Sequence, residues 1–211
     1  VDAVKTYRPF RSQTSLYPYF VVVVLLFLFQ TAFGVVTAHY IVEQGFYGFD
    51  IRSIFPYSIT RSWHLQLSIF WIATAWLAAG MFMAPMLSKH EPKGQHWLVK
   101  ILFVAILIVA VGSICGEWLG VKNMLGSLWF WFGHQGWEYV DLGRFWQAFL
   151  FVGLLLWLTL VGRALWPAMR KGTESRSIVI LLFLSVVAIG LFYAAGLMWG
   201  EHTHMSMVEY W

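Results

Sequence analysis

His64 stands in RSWHLQLSIFWIATAW, one residue into an apolar run. Polar side chains at membrane depth are costly and face the interior of a bundle. Imidazole is a good axial ligand for haem iron. Arg61, three residues earlier, lies one helical turn further out on roughly the same face, where its guanidinium could pair with a haem propionate. The competing account is a histidine hydrogen-bonded to a neighbouring helix, and no second axial ligand is identifiable. His39 and Glu43, in TAHYIVEQGFYG, are four residues apart and share a face if the chain there is helical. A histidine and a carboxylate at a membrane edge could accept the two protons of a quinol whose tail lies in lipid. An ordinary polar helix end would look the same.

The run WFWFGHQGWEYVDLGRFWQ, 129–147, carries Glu138, Asp141 and Arg144 at intervals of three. Glu138, set among aromatics, could bind a cation or orient the acid group of a cofactor. Asp141 reads as an N-cap for the apolar segment that follows. Gly133 and Gly136 suit a tight backbone, and His134 reads as structural. His202 and His204, with Met205 and Met207, offer imidazole and thioether to copper, although a two-residue spacing in a short loop also arises without a metal.

The elements that must position these residues follow from composition. Of 211 residues, 60% are hydrophobic and 11% are charged, with a mean hydropathy of +0.68. Soluble domains carry about 25% charge, so neither a soluble nor a disordered chain fits. Five apolar segments, 16–38, 63–87, 97–119, 145–166 and 178–199, each hold 22 to 25 residues. At about 1.5 Å per residue each crosses a hydrocarbon core of about 30 Å with some tilt. The fold class expected is all-α, a polytopic membrane helix bundle of about five spans. The alternating short segments of a β-barrel are missing. Cys115, the single cysteine, lies inside an apolar run and forms no intrachain disulfide.

The charges orient the bundle. Ten of the 14 basic residues fall on the face that holds the N-terminus and the turns near 88–96 and 167–177. The positive-inside rule places that face in the cytoplasm. Seven of the ten acids, Glu117 among them, fall on the other. The net charge of +4 is thus a topology signal, and a nucleic-acid partner loses its support. The outer connections, 38–62 and 120–144, are long and rich in aromatic, glycine, histidine and acidic residues, so chemistry is expected at the outer edge.

TAHYIVEQGFYG, FPYSITRSWHLQLSIFWIATAWLAAG, FWFGHQGWEYVDLGRFWQ and MVEYW closely resemble the quinol-dependent nitric oxide reductases, relatives of the haem–copper oxidases. The resemblance runs from about Tyr17 onward, and the first fifteen residues resemble a cytoplasmic linker, 1–15, before a bundle segment, 16–211. It implies that His64 is an axial ligand of low-spin haem b, that His39 and Glu43 belong to the quinol site, and that Glu138 is the acid near the haem propionates. In the cytochrome-dependent relatives that acid helps bind a bridging calcium. The family joins two NO molecules, with two electrons and two protons, into N2O and water at a high-spin haem b and a non-haem iron. Those catalytic ligands fall after the MEYW-like stretch in the family. The 211 residues are therefore expected to be part of a larger bundle, completed by the rest of the same enzyme or a complementary subunit, in a bacterial inner membrane, and inactive alone. A nitric oxide dismutase-like relative and a non-catalytic haem-binding membrane subunit are the alternatives.

Overall fold

The computed structural model describes residues 7–42, 48, 50–134, 142–170 and 176–199. The described residues are helical almost throughout. The elements are α1 (Arg11–Thr14), α2 (Tyr17–Val42), α3 (Tyr57–Ser88), α4 (Gln95–Val121), α5 (Trp129–Phe132), α6 (Arg144–Arg170) and α7 (Arg176–Trp199). Among the described residues the only extended pairing is a single antiparallel bridge between His134 and Leu142. The five long helices are each apolar and long enough to cross a membrane.

Every long helix outruns its apolar segment at one end or both. The largest excess is at α3, which begins at Tyr57 behind Pro56 rather than at Trp63. Proline just ahead of the first turn gives up an amide that the helix would not use. At 32 residues and about 1.5 Å per residue, α3 is about 48 Å long, so its polar first turns stand beyond a hydrocarbon core of about 30 Å. Arg61 and Ser62 are therefore helical residues and not loop residues. The N-cap of α6 is also corrected. The helix starts at Arg144, and the Gly143 carbonyl accepts the amides of Trp146 and Gln147. That makes Gly143 the N-cap in place of the expected Asp141, which lies outside the described residues.

α2 packs along α3, and α6 packs against α3, α4 and α7. The main core lies where α3, α4, α6 and α7 meet, around the fully buried Trp157. Its indole N–H donates to the Leu77 carbonyl at 3.0 Å. Close approach on α4 comes from Gly112, Gly116 and Gly120, spaced by four along one face. A Cβ on Gly112 would lie 2.1 Å from the Trp146 ring, and one on Gly116 would lie 1.8 Å from the Phe132 carbonyl oxygen. Small residues at this spacing let backbones touch in a membrane bundle. Here they seat α5 and the head of α6 on α4.

The two ends of the bundle differ. At the basic end Lys100 lies over the Trp97 ring and Arg170 over Trp166, the pairing of cation and interfacial aromatic that suits a headgroup layer. There the segment before α2 is docked through Gln13, which is buried. Its side chain accepts from the Tyr7 hydroxyl at 2.7 Å and the Phe10 amide at 2.8 Å, and donates to the Phe82 carbonyl at 2.8 Å. The opposite end carries the segments 50–56 and 122–134. Arg144 ties it together, donating to Gln147 at 3.0 Å and to the Leu197 carbonyl at 2.7 Å.

Candidate functional site

The interface of α2 and α3 near the loop-rich end is built around one imidazole. Both helices are apolar on most faces, so the seam is chosen by a few residues: Phe33 meets Trp63 edge to face at 4.8 Å, Phe55 joins them at 5.6 Å, and Phe27 meets Trp71 at 5.6 Å. Between these rings the His64 side chain, half-buried, crosses to α2. Its Nδ1 donates to the main-chain carbonyl of Gln30 at 2.8 Å. A carbonyl only accepts, so this bond assigns the proton to Nδ1 and leaves the lone pair of the neutral ring on Nε2.

Gly34 makes that seat possible. A Cβ there would lie 2.6 Å from Cε1 and 2.7 Å from Nδ1 of His64, distances that real side chains do not reach. A metal-binding histidine is commonly oriented by a carbonyl on its other nitrogen, and this arrangement fits an axial ligand in that respect. The Gln30 side-chain amide nitrogen lies 3.1 Å from Nδ1 and 3.4 Å from Nε2; with Nδ1 protonated, its donation goes to the Nε2 lone pair that a metal would use. An iron at Nε2 therefore requires that amide to turn aside, which its long side chain permits. Arg61 is exposed one turn closer to the loop-rich end.

His39 is half-buried in the last turn of α2, five residues past Gly34. Beside it Tyr40 donates to the Phe55 carbonyl at 2.5 Å, and Arg52 lies 5.5 Å from the centre of the Tyr40 ring. These contacts fold the 50–56 segment against the end of α2. Glu43, Glu138, His202 and His204 lie outside the described residues. The expected pairing of His39 with Glu43 therefore has only its first member in view. His134 packs against Trp129 at 5.7 Å between ring centres and over Gly120, a setting consistent with its structural reading.

One residue has a different environment from the one its position in sequence suggests. Glu117, which falls with the outer acids in sequence, is a fully buried residue of α4. Ser62 and Gln66, one turn apart on α3, face its carboxyl and are also buried. They are on the side of α3 away from His64, since residues two apart point in nearly opposite directions on a helix. The outer end of α3 thus carries two polar contacts, an imidazole toward α2 and a hydroxyl–amide pair toward α4. The signal available in sequence was a lone acid inside an apolar run, GSICGEWLG.

The fold and this seam define a class of protein, a polytopic all-helical membrane bundle with an imidazole seated between two of its spans. A family model described as Cytochrome C and Quinol oxidase polypeptide I matches residues 15–210, nearly the whole chain. The chain belongs to that family, the subunit I family of the haem–copper oxidases. Membrane residence, haem binding and oxidoreductase chemistry are properties of the family as a whole.

Proposed function

We propose that this chain is part of a quinol-dependent nitric oxide reductase, which oxidises quinol and reduces NO to N2O. The observation that carries the reading is the seat of His64, Nδ1 on the Gln30 carbonyl and ring against Gly34, in a chain of the oxidase subunit I family. His64 would be the residue of this chain that ligates the low-spin haem b. Bound there, haem b supplies a one-electron carrier. Arg61 holds a propionate, and Glu138 serves the propionate end as an acid or a calcium ligand. His39 and Glu43 hold the quinol headgroup at the end of α2 and accept its protons.

Residues 1–15 form the cytoplasmic linker, and the membrane is a bacterial inner membrane with the N-terminus inside, an orientation that the distribution of basic residues supports. The high-spin haem b and the non-haem iron are held by the rest of the enzyme or a complementary subunit.

His64→Ala in the complete protein should remove the low-spin haem absorbance and its electron paramagnetic resonance signal. An unchanged low-spin spectrum would sink the assignment. For the quinol site, His39→Ala should depress quinol-driven turnover at least tenfold more than turnover with an artificial donor. Equal losses with both donors would count against it.

A further inference from the structure

Glu117 takes no part in the reading above. It is fully buried inside a candidate membrane span. Its carboxyl oxygens and the Ser62 hydroxyl are buried and meet no partner at full hydrogen-bond geometry, although Ser62 and Gln66 lie close enough to act on the carboxyl. Among the described residues no cation pairs with it. Two basic groups of the adjoining elements are committed elsewhere, and Arg61 and His134, on elements beside α4, also have partners. Lys122 donates to the Ser53 carbonyl and lies over the Trp118 ring, and Arg144 is bound to Gln147 and Leu197.

An ionised carboxylate in such a place costs several kcal/mol unless paired. A buried polar group without a partner costs about 1–3 kcal/mol on its own. Ionisable side chains that persist inside a membrane under such costs mark proton or ion pathways. We propose that Glu117, Ser62 and Gln66 form a buried proton-exchange site at the loop-rich end of the bundle. The carboxyl carries a proton, and that O–H proton exchanges with solvent water while no bond to carbon changes.

The geometry gives the route. α4 ends at Val121, one turn past Glu117, so the loop-rich face is close. On the other side Gln66 lines a half-open cleft of about 350 Å³ among α3, α4, α6 and α7. Phe70, Trp76, Val109 and Leu150 in its wall make it apolar and a poor path for water. Protons therefore reach Glu117 from the helix end. Ser62, whose hydroxyl both donates and accepts, is the group placed to pass them. This inference stands apart from the haem and quinol assignments and survives if either fails.

The test is infrared spectroscopy of the complete native protein in membranes, in H2O and in D2O. The expected result is a carboxylic-acid C=O band that shifts down in D2O and is lost in Glu117→Gln. Ser62→Ala should keep the band, move its frequency and slow its exchange severalfold. Should Glu117→Gln fail to accumulate, Glu117→Asp should shift the band instead. A band that persists in Glu117→Gln, one that does not move in Glu117→Asp, one that never exchanges in D2O, or no such band at all overturns the proposal.

Discussion

At the scale of single residues the imidazole of His64 was legible and its seat was not. A histidine one residue into an apolar run stands out by type and depth. Gln30 and Gly34 do not, because α2 is apolar nearly all round and its periodicity does not say which side meets α3. The close approach at Gly34 gives a prediction that the histidine alone does not. Gly34→Ala places a Cβ 2.6 Å from the ring and should reduce low-spin haem occupancy severalfold. Helix content by circular dichroism should be unchanged. Full haem occupancy in that variant would show that the imidazole has another seat. Gln13 was equally silent in sequence, a glutamine in a polar leader. Its buried side chain makes three hydrogen bonds, and Gln13→Ala should cost about 1–3 kcal/mol. Thermal denaturation in detergent would detect it, and an unchanged midpoint would mean the segment before α2 adds little stability.

At the scale of elements, apolar length was sufficient to find all five spans and insufficient to end them. The sequence Tyr57 to Ser62 is polar and aromatic enough to read as loop, yet it is helix. A helix continues past the hydrocarbon when neighbours support it, as Phe55 and Trp63 do here. Glu117 illustrates the same limit from the other side. It falls near a span end and so groups with the outer acids, but α3 covers it through contacts fifty residues away in sequence. The glycine stripe of α4 supplies an element-scale prediction. Gly116→Ala forces a methyl to within 1.8 Å of the Phe132 carbonyl oxygen, so α5 must lift from α4, at a cost of about 1–3 kcal/mol for an overpacked contact. Gly190→Ala, on α7 with open space around it, should be neutral or stabilising by up to about 1 kcal/mol through helix propensity. The two melting midpoints measured side by side check this, and equal shifts would contradict the packing account.

At the scale of the whole molecule, the scarce charges organise the bundle. Basic residues gather at the end where Trp97 and Trp166 carry Lys100 and Arg170, and the polar contacts around His64, Tyr40 and Glu117 gather at the other. The proposed orientation can be read by labelling. With Cys115 replaced by serine, a membrane-impermeant maleimide should modify Asn123→Cys in spheroplasts and leave Lys93→Cys untouched until the membrane is opened. The reverse pattern would invert the topology. Exposed apolar residues line α2 and α7, at Phe20, Leu28, Leu184 and Leu191, and also the outer faces of α4 and α6, at Ile101, Val111 and Val152, as expected of faces turned to lipid or to further helices.

The most direct test of the proposed function is product analysis on the complete native protein, supplied with NO and with quinol as the only electron donor. The account predicts N2O formed in step with quinol oxidation, one N2O for each two NO consumed. Formation of N2 with O2, or quinol oxidation that proceeds with O2 and yields no N2O from NO, would contradict it.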